Sequence, residues 1–182
     1  MATLEDAQPS RDEVRRILDA RARVAARPPA TADDVARVEV LAFSLAEETY
    51  AVETRFVREV CQLKDVTAVP CVPPFIAGVM NLRGRVLAIV DLRKLFDLPS
   101  RGLTELNRVI VLQDGDAEFG LLADAIDGLR SVATKELHDG LRTLTGVRDR
   151  FLKGITPQML VVLDGGRLLS DAGLRVDESA AR

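Results

Sequence analysis

Residues 73–86 read PPFIAGVMNLRGRV, a segment with two prolines and two glycines set among apolar residues. Proline fixes φ and glycine adopts conformations closed to other residues, so the backbone here is tightly specified. If the segment is extended, Asn81 and Arg83 share one face and Met80 and Leu82 share the other. The plainer interpretation is a structural turn with an exposed arginine. The functional one is a rigid loop that presents a cation to a partner, a role that suits the planar fork and apolar stem of arginine.

Strand-like periodicity surrounds this segment from residue 37 onward. Apolar residues alternate through Val38–Leu45, Glu47 and Glu48 form a turn, and Thr49–Val52 returns, which predicts a hairpin. A further strand over Val86–Val90 is almost wholly apolar, as in a strand buried on both faces. Two more short strands and a short helix that Asp91 caps are also predicted: Val57–Leu63, Val66–Val69 and Leu92–Phe96.

The second half of the chain repeats this plan in the same order. The matched pairs of segments are 37–41 with 108–112, 49–52 with 118–122, 76–79 with 152–155, and 87–91 with 160–164. One such match between apolar strands could be chance, but four in order indicate two β units of related shape. Short strands at this spacing favour closed or nearly closed barrels, which protect their edges. Each unit is small, so the two are expected to share a packed interface.

The N-terminal segment differs from the rest. Ser10 and Glu13 form a capping-box pattern, an apolar stripe with arginines mostly off it follows, and Pro28-Pro29 ends the predicted helix. Residues 1–37 are therefore predicted to be an amphipathic helix and linker. The helix either folds back on the body or docks on a partner, and an amphipathic stripe more often indicates local packing.

Composition limits the function classes. The chain has 182 residues, a formal net charge of -3 and a pI near 5.3, so neither a basic nucleic-acid footprint nor a polybasic anchor is indicated. Cys61 and Cys71 fit no metal or redox spacing, and we expect two reduced thiols. The start of the chain does not resemble a signal peptide, and no apolar run reaches the roughly 20 residues that span a bilayer. A cytoplasmic protein is expected.

Catalytic chemistry is not evident. His138 is the one histidine, and its surroundings predict an exposed turn. Asp114, Asp116 and Glu118 lie at a predicted hairpin turn, where such residues are ordinary. There is no phosphate-binding glycine loop and no multi-histidine metal site. We expect no enzyme activity, no metal and no cofactor.

Residues 75–84, followed by Val90-Asp91-Leu92-Arg93, resemble the signature of CheW-type coupling domains. Residues 50–60 and 151–154 resemble that family as well, so the likeness covers about residues 38 to 172. It implies a mainly β fold, with two five-stranded SH3-like barrels around a shared core plus short helices. The implied division is a first barrel over about 38–104 with the C-terminal helix region, a second barrel over about 105–163, and a flexible tail over 173–182.

The resemblance also implies a non-catalytic adaptor of bacterial chemosensory signalling. Its expected partners are the cytoplasmic tip of methyl-accepting chemoreceptors and the regulatory domain of a CheA-type histidine kinase, so the chain would be recruited to receptor arrays at the inner face of the membrane. No nucleic acid and no membrane insertion are expected. By matching position, the receptor-binding residues are Val57, Glu59, Gly78, Asn81 and Arg83.

The resemblance assigns each residue a role. Arg83 is the polar anchor, Val57 an apolar contact and Gly78 a close-approach or shape residue, while Glu59 pairs with a basic receptor group or orients the surface. Gly154 falls near the expected kinase contact. The alternative function is a barrel that binds a small molecule or an oligonucleotide. One Tyr and no Trp leave few stacking residues for that alternative.

Overall fold

The computed structural model describes residues 36–99, 107–138 and 147–174. The predicted N-terminal helix lies outside these residues, as does the tail beyond Leu174. The strands are β1 Arg37–Leu45, β2 Glu48–Glu53, β3 Val57–Gln62, β4 Ile76–Leu82, β5 Arg85–Val90, β6 Arg108–Asp114, β7 Ala117–Ala123, β8 Ala125–Ala133, β9 Leu152–Ile155 and β10 Val161–Leu163. The helices are α1 Leu92–Leu95, α2 Val147–Phe151 and α3 Gly165–Ser170, with 3-10 turns at Thr54–Phe56 and Thr134–Glu136.

The strands form two five-stranded SH3-like barrels. Barrel A has the order β8-β1-β2-β10-β9, and barrel B has the order β3-β6-β7-β5-β4. The fold class is therefore as predicted, but the assignment of one barrel to residues 38–104 and the other to 105–163 is wrong. Each half of the sequence gives its first hairpin to one barrel and its last three strands to the other, because β3 pairs with β6 and β8 pairs with β1. The exchange is reciprocal.

The internal repeat is confirmed element by element. The hairpins β1–β2 and β6–β7 close at the pairs Leu45↔Glu48 and Asp114↔Ala117, and β5 and β10 each run parallel to the second strand of a hairpin. These pairs match Val40 with Val109. The internal match of residues 37–41 with 108–112 instead aligns Val38 with Val109, which is two residues out of register. An even slip keeps the inward and outward faces of a strand unchanged, so the pattern alone could not detect it.

Three clusters of buried side chains follow from the alternation of β1 and β6. Val40 and Ala42 face the interior of barrel A, and Val109 and Val111 face that of barrel B. The intervening residues of both strands face a third, shared cluster between the barrels, which includes Leu41, Phe43, Tyr50, Ile110, Leu112, Phe119 and Phe151. The shared core is the largest of the three, so the barrels pack as one body. Leu174 is buried in it, and the body therefore extends past the predicted start of the tail at residue 173.

A buried polar network also joins the two barrels. Asp91 caps α1, as predicted, and its carboxylate accepts hydrogen bonds from Arg93 Nε at 2.9 Å and Nη2 at 3.0 Å. Arg93 Nη1 reaches Asp124, whose other oxygen accepts from the backbone of Ala46 in the β1–β2 turn. Burial alone would lower the pKa of Arg93, but its hydrogen bonds to Asp91 and the nearby carboxylate charges raise it. Arg93 of the Asp91–Arg93 motif is thus a buried link between barrels.

The segment after β3 departs from the prediction. Val66–Val69 does not form a strand, and its one bridge joins Thr67 to Val79 of β4. An equivalent bridge joins His138 to Ile155 of β9 in barrel A. Each bridge joins the segment that follows one edge strand to the other edge strand of the same barrel. The bridges therefore close the gap between β3 and β4 in barrel B and between β8 and β9 in barrel A. No helix within the described ranges combines the length and the apolar character that crossing a membrane requires.

Candidate functional site

The mouth of barrel B is the opening at which the β4–β5 and β6–β7 turns lie. Strands alternate, so Glu118 projects on the same side as Gly120 and Leu122, and Arg85 projects on the same side as Leu87. Those apolar residues fill the barrel interior. Glu118 and Arg85 therefore line the rim where the apolar interior ends and solvent begins. The start of β3 brings Arg58 and Glu59 to the same rim.

A rigid turn presents Arg83 at this mouth. Strand β4 ends at Leu82, and Arg83 and Gly84 both have positive φ, 52° and 85°. Two consecutive positive φ values define a type I′ hairpin turn, whose twist matches the flanking strands. Asn81 accepts a hydrogen bond from the Gly84 backbone at 2.8 Å. Arg83 therefore lies in a structural turn, the first of the two interpretations of this segment, and not on an extended face shared with Asn81. Asn81 acts by fixing that turn.

Arg83 is tethered and exposed at once. Its Nη2 lies 2.9 Å from Glu59 Oε2, and the Arg83 side chain is 79% exposed while that of Glu59 is 20% exposed. Glu59 is held on β3 by the sheet, so the ion pair orients the arginine instead of covering it. An exposed pair contributes about 0–1 kcal/mol to stability, and its consequence here is geometric.

A second ion-pair system completes the rim. Glu118 receives Arg58 Nη1 at 3.0 Å on one oxygen and Arg85 Nη1 at 2.7 Å on the other. Arg58 also donates to the side chain of Gln113 at 3.1 Å. Because Arg58 adjoins Glu59 and Arg85 follows the Arg83 turn, the two ion-pair systems are neighbours on the rim. Sequence reasoning set Glu118 aside as a hairpin-turn residue. The equivalent position of the other hairpin is Thr49, so the hairpin does not require a carboxylate there. This difference between the two halves of the sequence is the signal that could have marked Glu118 as a site residue.

Gly78 lies inside the wall of barrel B. Its φ is +145°, and a Cβ at this position would lie 2.4 Å from the Thr67 carbonyl oxygen. The Thr67–Val79 bridge, with backbone hydrogen bonds of 2.8 Å in both directions, requires that approach. The close-approach role predicted for Gly78 therefore has a geometric basis. Gly78 can affect a partner surface by setting the path of β4.

Two predicted residues, Val57 and Gly154, are not members of the charged rim. Val57 begins β3 and is partly buried against the shared core. Gly154 of barrel A is the structural counterpart of Gly78. Gly154 pairs with Val162 and Gly78 pairs with Ile89, and these two residues occupy the same register against β2 and β7. A Cβ on Gly154 would lie 2.9 Å from that of Leu137. Gly154 is therefore also a packing position.

Reactive side chains near the rim show no catalytic arrangement among the described residues. Burial, and then the charge of Glu59, raises the pKa of the Cys61 thiol, which disfavours the nucleophilic thiolate. Cys61 and Cys71 are both free. His138 is exposed, as predicted, and its backbone pairs with Ile155. Both barrel interiors are filled by side chains.

Comparisons with known proteins agree with this architecture. A family model described as the CheW-like domain matches residues 39–173. The chain is 28% identical to the chemotaxis protein CheW of Treponema pallidum, over 75% of this chain and 85% of the relative. It is 33% identical to the chemotaxis protein CheW of Thermotoga maritima, over 74% of this chain and 83% of the relative. The crystal structure of the scaffolding protein TtCheW from Thermoanaerobacter tengcongensis superposes with a TM-score of 0.63 at 28% identity, covering 70% of this chain and 89% of that one.

The two barrels and their shared core define a double-barrel domain. The chain belongs to the CheW-like domain family. The resemblance drawn from residues 75–84 and their flanks is therefore confirmed.

Proposed function

We propose that the protein is a non-catalytic adaptor that couples methyl-accepting chemoreceptors to a CheA-type histidine kinase. The observation that carries the proposal is Arg83, an exposed cation at the tip of a turn that Asn81 fixes and Glu59 orients. Such pre-organisation lowers the ordering cost of binding. Membership of the CheW-like family supports the adaptor role. The protein would act in the cytoplasm, recruited to receptor arrays at the inner face of the membrane.

The receptor surface in this proposal is the mouth of barrel B. Glu59, Asn81 and Arg83 meet there, while Gly78 sets the path of β4 and Val57 supplies an apolar edge at the start of β3. The kinase regulatory domain would contact barrel A, where Gly154 holds β9 against Leu137. One chain could then bind both partners at once. The filled barrel interiors give the alternative, a small-molecule or oligonucleotide barrel, no observation in its favour.

The test is co-sedimentation of the chain with membranes that carry a chemoreceptor from the same organism. Arg83→Ala should weaken receptor binding by about 2 kcal/mol, roughly 30-fold, as expected for a central arginine anchor. The matched control is Arg130→Ala, which removes an exposed arginine from β8 of barrel A. Circular dichroism should show both variants folded. Wild-type binding by folded Arg83→Ala would refute the anchor, and a wild-type chain that binds neither receptor nor kinase would refute the adaptor.

A further inference from the structure

The two barrels provide an internal control for the charged rim. Arg58 is the bulged residue of β3, and Asp127 is the bulged residue of β8 at the corresponding point. Arg58 donates to Gln113, whereas Asp127 accepts from Ser44, the counterpart of Gln113. The cross-strand partner of Gln113 is Glu118, and that of Ser44 is Thr49. At the same backbone positions, barrel A therefore has only neutral or acidic side chains.

The arginines of barrel B are not a requirement of the fold. The β9–β10 hairpin of barrel A is shorter than the β4–β5 hairpin, and its turn carries Pro157 and Gln158, with no arginine in the place that Arg85 takes in barrel B. A barrel mouth can thus be built without Arg58, Glu118 or Arg85. Exposed ion pairs contribute about 0–1 kcal/mol each, so stability does not explain the triad either.

Exposed apolar residues beside the rim, unlike the charged ones, occur in both barrels. Val86, next to Arg85, is 68% exposed, and its counterpart Met159 is 65% exposed. Val60 on β3 and its counterpart Leu129 on β8 are 40% and 71% exposed. Both barrels therefore present apolar side chains at equivalent places, and the mouth of barrel B adds a cation cluster to them. Apolar contacts beside a desolvated arginine are the composition of an interface hot spot.

The arginine donors at the rim are only partly used. Three guanidinium groups, on Arg58, Arg83 and Arg85, pair with the carboxylates of Glu59 and Glu118, while two exposed aspartates of the β6–β7 turn, Asp114 and Asp116, lie at the same mouth. Glu118 is shared, and Arg85 meets it through one nitrogen while its side chain stays 46% exposed. The guanidinium fork carries five donors and fits a carboxylate with two parallel bonds. Arg85 thus keeps available donors at the rim, next to the exposed Val86.

We propose that the Arg58–Glu118–Arg85 triad is a specificity-determining part of the docking surface, which binds a carboxylate of the receptor tip beside the apolar contact made by Val86. The proposal rests on the proposed receptor function and extends its surface beyond Arg83. Glu118 holds both arginines in place, and Arg85 supplies the bidentate contact. The fitting receptor segment presents an acidic side chain next to an apolar one.

The experiment measures binding of the full chain to the purified cytoplasmic tip fragment of a chemoreceptor from the same organism, by calorimetry at low and high salt. Arg85→Gln removes the proposed contact and keeps a polar side chain of similar length, and Arg58→Gln removes the second cation. Each should weaken binding about tenfold and flatten the salt dependence, because one charge-assisted contact is lost. Arg130→Gln, the same chemical change on β8 of barrel A, should bind as wild type does.

The outcomes separate this inference from the proposed function. Equal affinity for Arg85→Gln, Arg58→Gln and wild type, together with weak binding by Arg83→Ala, would overturn the triad and leave the receptor function standing. An equal fall for Arg130→Gln and Arg85→Gln would overturn it too, since bulk charge would then explain the effect. No binding by the wild-type chain would overturn both. Circular dichroism excludes unfolding, and Val86→Ser, which leaves every charge in place, should weaken binding without changing its salt dependence.

Discussion

The interiors of the two barrels are built on the same backbone and filled in different ways. Glu53 of barrel A is buried, accepts from Arg55 at 2.7 Å and pairs with Lys153. The counterpart of Glu53 in barrel B is Leu122, and that of Lys153 is Ala77, both in an apolar cluster. An ion pair in one barrel thus occupies the place of an apolar contact in the other. The repeat preserves bulges, caps and hairpins, whereas side-chain chemistry varies.

The glycine beside each bulge is the most direct point at which to test the comparison. Gly78→Ala should destabilise the protein by about 3 kcal/mol, because its φ of +145° is strained for alanine and the new Cβ meets a backbone oxygen at 2.4 Å. Gly154→Ala should cost about 1–2 kcal/mol, since it meets Leu137 at 2.9 Å without a strained φ. Denaturant unfolding followed by circular dichroism measures both. Equal losses would mean that the two wall contacts are energetically alike.

Sequence reasoning predicted the repeat and missed the strand exchange for a physical reason. Periodicity reports which face of a strand is buried, and β1 and β6 are buried on both faces whichever barrel they join. Periodicity does not report which strand lies alongside, because backbone hydrogen bonds can form with any neighbouring strand. The pairing of β3 with β6 is a long-range contact that the pattern of either strand alone does not encode.

The site was predictable only in part. Gly78, Asn81 and Arg83 were predicted by the resemblance of residues 75–84 to CheW-type domains, and the glycines and prolines of the segment indicated a tightly specified backbone. Glu118 was not predicted, because a carboxylate next to a hairpin turn is ordinary in a sequence, and only the fold places it between Arg58 and Arg85. Buried Glu53 and Arg93 were missed in the same way. Their partners are set by tertiary contacts.

The buried ion pair of barrel A provides a second test, of intermediate size. Lys153→Ala should cost about 2 kcal/mol, below the range for an orphaned buried charge, because Arg55 still contacts Glu53. Adding Glu53→Leu recreates the Leu122–Ala77 pair of barrel B, and the double variant should recover most of that loss. Arg55 is 69% exposed and loses little without its partner. Thermal unfolding of wild type, Lys153→Ala and the double variant measures both the loss and the recovery. A double variant less stable than Lys153→Ala would show that the barrels do not tolerate the same interior.

The smallest expected effect distinguishes Tyr50 from its counterpart Phe119. Tyr50 stacks on Phe43 and donates its hydroxyl to Glu48 at 2.6 Å. Tyr50→Phe should cost about 1 kcal/mol at neutral pH, the net contribution of one hydrogen bond. A loss above 3 kcal/mol would show that the hydroxyl has a larger structural role than its one contact with a half-exposed carboxylate indicates.

The Tyr50 hydroxyl should also make the stability of the protein depend on pH. Burial, and then the hydrogen bond and charge of Glu48, raises the pKa of Tyr50 above its usual value. Above about pH 10 the unfolded chain therefore releases a proton that the folded chain keeps, and stability falls as pH rises. Tyr50→Phe removes this contribution to the slope.

With one tyrosine and no tryptophan, tyrosinate absorbance reports this group alone. Glu48→Gln should bring the titration closer to pH 10, because a neutral amide no longer opposes the phenolate charge. A folded wild-type protein that titrates at pH 10 would contradict the buried, hydrogen-bonded phenol that separates barrel A from barrel B at this position.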